Sequence, residues 1–409
     1  MIKNKLKYVF INDFGKIITG KTPKTDIKEY WGGEVPFITP TDIPSFDTRY
    51  LMRTERTISE KGVKIQKNTL LPINSICVSC IATIGKVCLT NVPSITNQQI
   101  NSIIVDKKYN PTYLLYVFRY YRPYLQLIAG GTGSGTPIIN KNKFSKLKYP
   151  IFDNIDIQNR IARILNNYDS LIENNNHRIK LLETMAEELY KEWFVRFRFP
   201  GYKKVKFENG IPKDWRVEKL GKYVTIKRGG SPRPIQEYLA EEGLNWLKIS
   251  DVTNLISPFI FKIQEKIKQE GLNKTVFLKV GSLVLSNSAT PGIPKILCVD
   301  SCIHDGWLYF ENSYFSNEYL TLFFKQERTN IMKLGNGAIF TNLKTDIVKN
   351  YRVIIPKKEI IEEFQTIIQP CFDKMKVMEK QNEILIKQRD YLLPRLMSGK
   401  LSVENKNII

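Results

Sequence analysis

Phe37-Ile38-Thr39-Pro40-Thr41-Asp42-Ile43 returns in altered form as Trp246-Leu247-Lys248-Ile249-Ser250-Asp251-Val252. Two more echoes flank this one. Gly15-Lys16-Ile17-Ile18-Thr19-Gly20-Lys21 matches Gly221-Lys222-Tyr223-Val224-Thr225-Ile226-Lys227, and Ser75-Ile76-Cys77-Val78-Ser79 matches Ser282-Leu283-Val284-Leu285-Ser286. The offset stays at about 206 to 209 residues, a whole domain plus a linker and far above the roughly 20–50 residues of a solenoid repeat. Two similar modules therefore share one polypeptide. Their divergence in detail suits two parts doing the same kind of job on two different targets.

The chain has 409 residues, enough for two or three domains with sizeable cores, and the repeat favours two. Sixty-two Lys and Arg against 40 Asp and Glu give a formal charge of +22. Such an excess implies an acidic partner, nucleic acid before an anionic membrane surface. No apolar run approaches the roughly 18 residues of a spanning helix. The start, Met1-Ile2-Lys3-Asn4-Lys5-Leu6-Lys7, leads only into the short apolar stretch Tyr8 to Ile11, which does not read as a secretory signal. The expected location is the cytoplasm. Six cysteines, Cys77, Cys80, Cys88, Cys298, Cys302 and Cys371, are read as buried and reduced: Cys77 and Cys80 fall on a strand, where positions three apart point to opposite faces and do not meet on one ion.

After each module the periodicity changes from strand-like to helical. Ile161, Leu165, Tyr168, Ile172, Asn175, Ile179, Leu182, Ala186, Leu189 and Trp193 advance by steps of four and three, a sustained heptad seam. Ile361, Phe364, Ile368, Cys371, Met375, Met378, Asn382, Leu385, Arg389 and Leu392 do the same. Two helices with one apolar stripe each are expected to pack on one another, with Asn175 and Asn382 as polar positions that fix register. Pro200-Gly201 and the loop around Asn209 to Trp215 end the first helix and open the second module; Leu392-Leu393-Pro394 closes the second helix. The resulting division is 1–156 for the first module, 157–204 for the first spacer helix, 205–356 for the second module and 357–409 for the second helix and tail. Short β-rich runs such as Val35–Thr39, Ser75–Ala82 and Leu283–Leu285, with helices over Pro111–Leu127 and Asn317–Met332, make each module a compact α+β domain.

Catalytic readings find little support. Asn110-Pro111-Thr112-Tyr113 is close to the Asn-Pro-Pro-Tyr element of amino-methyltransferases but has the wrong third residue, and no Gly-rich cofactor loop follows a buried strand; the run reads instead as a helix start. Gly130-Gly131-Thr132-Gly133-Ser134-Gly135 lacks the Gly-Lys-Ser/Thr ending of a phosphate loop and reads as a loop near DNA. Asp26-Ile27-Lys28 has no acidic partner cluster. Of two histidines, His177 lies at an exposed helical position, while His304, beside Asp305, reads as a hydrogen-bonding or structural group before a general base.

Basic and amide residues recur in the expected loops of both modules. They are Lys21, Lys24, Arg49, Arg53, Arg56, Asn97, Gln98 and Gln99 in the first, and Lys227, Arg228, Arg233, Lys248, Asn287, Lys295, His304 and Asn336 in the second. Arg and Lys neutralise phosphates or pair with guanine edges, and Asn and Gln pair with adenine. These sixteen are the candidate DNA-binding residues; no catalytic or metal-ligating residue is assigned.

Two diverged modules alternating with two heptad helices, the phrase Gly210-x-Pro212-x-x-Trp215, and Leu392-Leu393-Pro394-x-Leu396-x-Ser398-Gly399-Lys400-Leu401 together resemble the specificity subunit of type I restriction-modification enzymes. Thr96-Asn97-Gln98-Gln99 is similar to a recurrent Asn-Gln element of its recognition domains, whereas the second module carries His304-Asp305-Gly306-Trp307 at that place. The resemblance implies two target recognition domains, each reading half of a split duplex DNA site, held apart by an antiparallel helical pair. It implies two modification subunits docked on the helices and ATP-dependent restriction subunits, with S-adenosylmethionine, ATP and Mg bound by those partners and none by this chain. The rival readings are a self-contained DNA adenine methyltransferase, which requires a cofactor site, and a non-specific DNA-binding coiled-coil adaptor, which leaves the duplicated modules without a use.

Overall fold

A computed structural model of the chain describes residues 6–43, 49–51, 53–130, 136–253, 255–334 and 342–403. It divides into two compact units, residues 1–176 with 381–409, and residues 177–380. Both divisions fall inside long helices. Each unit is thus a module plus half of each helix, where the sequence reading had set the helices apart as pieces of their own.

In the first unit a five-stranded sheet runs in the order Gly15–Thr19, Ile100–Val105, Ile76–Ser79, Val87–Thr90, Tyr50–Leu51, antiparallel except for the last pair. A three-stranded sheet, Arg56–Ile58, Trp31–Ile38, Ile95–Thr96, accompanies it, and Leu6–Phe10 pairs with Lys148–Phe152. The second unit repeats the plan with Thr225–Arg228, Trp307–Glu311, Leu283–Ser286, Pro294–Leu297 and Phe259–Ile260. Its Glu265–Ile267, Leu244–Leu247 and Ser301–Ile303 form the middle of a second sheet, and Arg216–Lys219 pairs with Arg352–Ile355. The central strands are buried on both faces, Ile76–Ser79 and Leu283–Ser286 throughout, which is why they read as continuous rather than alternating apolar runs.

Helix α1, Pro111–Tyr120, covers the first sheet. Asn110 caps it, its Oδ1 accepting from Tyr113 N at 2.8 Å with Pro111 in the first turn; the side chain that invites a methyltransferase reading is therefore occupied as a cap. The helix expected to reach Leu127 breaks at Tyr121 and restarts as Arg122–Gly130, because Pro123 has no N–H to give the Arg119 carbonyl. The long helix α2 spans Ile155–Tyr190 and ends in a π-helical turn, Lys191–Val195, that buries both Trp193 and Phe194. In the second unit α3, Asn317–Leu334, stands where α1 stands in the first, and α4 spans Lys358–Met397. Helix α4 continues through Pro370 and Pro394; packing of its stripe outweighs the roughly 3 kcal/mol that an interior proline costs.

Within each unit α2 and α4 pack through their inward-facing stripes. In the first unit Asn175 Nδ2 donates to Asn382 Oδ1 at 3.0 Å, and Asn382 Nδ2 donates to Asn176 Oδ1 at 2.8 Å. Together with Arg160 on the Val403 carbonyl and Arg389 on Asp169, these pairs make α2 and α4 antiparallel. In the second unit Tyr190 and Trp193 pack on Phe364. Ile161, Leu165, Ile172, Phe364, Ile368, Met375 and Met378 are buried; Ile179, Leu182, Leu189 and Leu385 are half-buried. Tyr168 is only half-buried, and the inward position beside it belongs to Asp169, fully buried.

The six cysteines are free thiols, five of them buried. Burial pushes Cys80 and Cys302 up to about 11, the opposite of what a reactive or metal-binding thiolate needs. Among the described residues no group of three or more His, Cys, Asp or Glu is placed to hold a metal, and no helix is long and apolar enough to cross a membrane.

Candidate nucleic-acid interface

Three loops meet at one end of each module, and the same bonds tie them in both. In the first module the strand Gly15–Thr19 runs into the loop 20–24. A Cβ on Gly20 would lie 2.2 Å from the Thr96 and Asn97 carbonyl oxygens, so glycine alone permits this approach. Lys21 N donates to Thr96 O at 2.9 Å, and Thr22 Oγ1 donates to Gln98 Oε1 at 2.6 Å. Asn97 shapes the second loop: its Oδ1 accepts from Gln99 N at 3.0 Å and its Nδ2 donates to Gln99 Oε1 at 2.9 Å. Asp42 ties the third, accepting from Thr39 N and Glu55 N, each at 2.8 Å. Trp31 donates to the Lys24 carbonyl at 3.1 Å and carries the Arg56 guanidinium 3.4 Å above its ring, a cation–π platform.

The second module uses the same frame with other side chains. A Cβ on Gly229 would meet His304 O at 2.3 Å; Gly230 N donates to Ile303 O at 3.2 Å, and Ser231 Oγ to Asp305 Oδ1 at 2.7 Å. His304 replaces Asn97, its Nδ1 accepting from Gly306 N at 2.8 Å and its Nε2 facing Ile249 N at 3.2 Å. Burial lowers the His304 pKa against the opposing pull of Asp305, so a neutral acceptor ring suits the site. Asp251 replaces Asp42, accepting from Lys248 N at 2.9 Å and Gln264 N at 3.3 Å. Through this frame Gly20 corresponds to Gly229, which moves the echo of Gly15–Lys21 three residues downstream of Gly221–Lys227: Gly221 lies in a 3-10 turn ahead of the strand.

The sequence candidates sort by exposure. Lys21, Lys24, Arg53, Arg56, Gln98, Lys227, Arg228 and Arg233 are exposed, and Gln99, Lys248 and His304 are half-buried. Lys227 is paired with Glu311 at 2.7 Å, and Lys248 with Glu265. Four candidates are corrected. Arg49 is buried and spends its guanidinium on Glu173, at 3.1 and 2.5 Å, and on Ser170. Lys295 is buried with its Nζ on the Leu255 and Ser257 carbonyls, its pKa pushed down to about 8 chiefly by burial. Asn97 is buried and bonded within its own loop to Gln99, and Asn287 is buried with its Nδ2 donating to the Asp305 carbonyl. These side chains hold the loops rather than face a ligand. Asn336 and Gly131 to Gly135 lie outside the described residues.

Trp31, Thr22, Asp42, Ser231, Asp251 and Asp305 escaped the binding-residue reading, which favoured basic and amide groups. The signal was available in Gly20-Lys21-Thr22-Pro23-Lys24 and Gly229-Gly230-Ser231-Pro232-Arg233: glycine, a hydroxyl, proline and a cation in the same order. What the frame offers chemically is a set of exposed donors and acceptors on a fixed backbone. That is a surface for reading a polyanion, presented twice.

Comparison with known proteins agrees. The family described as the type I restriction modification DNA specificity domain matches residues 3–184 and again 212–388. The MjaIX type I restriction enzyme specificity subunit of Methanocaldococcus jannaschii is 31% identical over 411 residues, covering 96% of this chain and 93% of that protein. The HindI specificity subunit of Haemophilus influenzae is 40% identical over 141 residues, 34% of this chain and 30% of its own length. The crystal structure of a type I restriction-modification S subunit from M. genitalium superposes with a TM-score of 0.64 at 12% identity, over 97% of this chain and 98% of that one, a likeness of fold. The chain belongs to the type I restriction-modification DNA specificity family.

Proposed function

We propose that this chain supplies the DNA address of a type I restriction-modification enzyme and none of its chemistry. Each module reads one half of a bipartite duplex target; the paired helices set the separation of the halves and dock two modification subunits. Those subunits bind S-adenosylmethionine and methylate an adenine, and restriction subunits bind ATP and Mg, all in the cytoplasm. The observation that carries this reading is the loop frame built twice from the same bonds with different exposed residues, which is what two readers of two sequences require. The +22 charge adds the phosphate attraction that positions such a reader.

The test is to exchange residues 205–356 for the corresponding module of a relative and map methylated adenines in cells that supply the modification subunits. One half of the methylated motif should change while the other persists. A change in both halves together overturns the independence of the modules. Helix α2, with 36 residues, is about 54 Å long. A heptad inserted between Ile172 and Ile179 preserves the seam phase, adds roughly 10 Å of helix, and should lengthen the spacer between unchanged half-sites.

A further inference from the structure

Within the reading of the chain as a two-module DNA reader, we propose that Arg233, oriented by Asp305, reads a guanine in the half-site of the second module. Arg233 sits between Pro232 and Pro234 at the rim of a cleft of about 600 Å³ that Trp246, Lys248 and His304 also line. Flanking prolines limit the backbone on both sides of the residue, and its side chain is 80% exposed. One arm of the guanidinium is held by an ion pair: Asp305 Oδ2 lies 3.6 Å from Arg233 Nη2, while Asp305 Oδ1 is fixed by Ser231 Oγ at 2.7 Å. Arg228 completes the support, its Nε donating to the Asp305 carbonyl at 2.5 Å and its Nη2 lying 3.4 Å from Oδ2.

An arginine beside a carboxylate loses much of its value as a counter-charge for phosphate but keeps its planar fork of donors. That fork matches guanine O6 and N7 in the major groove, the commonest base-specific contact. Arg228 is the weaker candidate because its Nε is already bonded and its side chain is less exposed. The first module places Lys24 and Gln98 at the equivalent positions. Lysine can reach a guanine edge but lacks the rigid planar fork, so the same frame gives that half-site a weaker guanine preference.

The test uses the full chain assembled with its modification subunits and a randomised duplex DNA library, comparing the parent with Arg233→Ala, Arg233→Lys, Asp305→Asn and Lys24→Ala. The parent should select a two-part motif with a G·C pair at a defined place in one half. Both Arg233 variants should lose discrimination at that pair by about 5- to 150-fold and leave the other half untouched. Asp305→Asn should weaken the same position to a smaller extent, and Lys24→Ala should leave it unchanged. A parent motif retained in Arg233→Ala, whether with unaltered affinity or with a uniform loss and a shallower salt slope, makes the residue a bystander or a phosphate contact and overturns the assignment alone. A parent that selects no motif overturns the DNA-reading function and this assignment with it.

Discussion

Helices α1 and α3 occupy the same place in the two units, yet they are anchored by opposite means. In the first unit Tyr116 and Arg119 of α1 reach Asp169, fully buried on α2: the Tyr116 hydroxyl donates at 2.7 Å, Arg119 Nη1 at 2.8 Å, and Arg389 Nη1 of α4 at 2.7 Å to the other oxygen. In the second unit the positions of Tyr116 and Arg119 are taken by Leu322 and Lys325. Leu322 is buried, and Lys325 pairs with Glu183 and Glu187 at the rim. The work is done there by rings: Phe194 lies 4.8 Å from Phe364 and 5.0 Å from Tyr319, with Tyr190 5.4 Å from Tyr319. A common topology thus tolerates either a charged or an aromatic anchor, but the two fail differently. The aromatic anchor gains from area and edge-to-face contact, whereas the charged one depends on every member being present.

The largest expected effect breaks the charged anchor. Asp169→Ala takes from the buried Arg119 and Arg389 the carboxylate they share, leaving Arg389 with the exposed Asp390, and should cost about 3–5 kcal/mol. Hydrogen exchange resolved along the chain should place the loss in the first unit. Replacing Arg119, Asp169 and Arg389 together by Met, Leu and Met, with Tyr116→Phe, should instead be near neutral or stabilising. A mild Asp169→Ala variant would show that the network contributes nothing the surrounding apolar contacts do not. Next comes the seam. Asn382→Ala removes partners from both Asn175 and Asn176 and should cost about 1–2 kcal/mol by denaturant titration. Leu at both 175 and 382 should raise the midpoint while releasing the register, visible as altered exchange along α2 and α4. Lys325→Ala, at a partly exposed pair, should cost under about 1 kcal/mol; a loss as large as that of Asp169→Ala would erase the distinction between the anchors.

The repeat, the α+β modules and the antiparallel helix pair were legible because they rest on periodicity, and periodicity survives divergence. Asn175 and Asn382 stood out as polar breaks in an apolar stripe, and they meet. Asp169 did not stand out: a charged residue one place from Tyr168 reads as solvated, and only three distant donors, on α1 and α4, make its burial tolerable. The same limit governs the interface. Arg49 and Lys295 look like ligands for phosphate until Glu173 and two carbonyls are found to claim them. Which cation is free depends on contacts 38 to 124 residues away in the chain, information that composition and spacing do not carry.

The smallest effect, absent at neutral pH, separates the two loop frames. Asn97 and His304 perform the same task, accepting the backbone N–H two residues on, but only the histidine is titratable. Its folded pKa lies below the ordinary value because burial penalises the imidazolium. Between the two values the unfolded chain binds more protons than the folded one, so stability falls as pH falls. The contribution of His304 is therefore full above about pH 6.5, the unfolded value, and is lost as the pH drops toward the folded pKa. Trp246 and Trp307, with ring centroids 6.1 and 6.5 Å from that of His304, should report the opening by fluorescence. His304→Asn, which copies the first module, should remove the acid-side loss in the second unit while leaving the first unit's pH profile unchanged. An acid transition that persists in His304→Asn would assign it to the neighbouring carboxylate of Asp305, whose pKa is lowered chiefly by the Ser231 hydroxyl, and would show that the two frames do not differ in this respect.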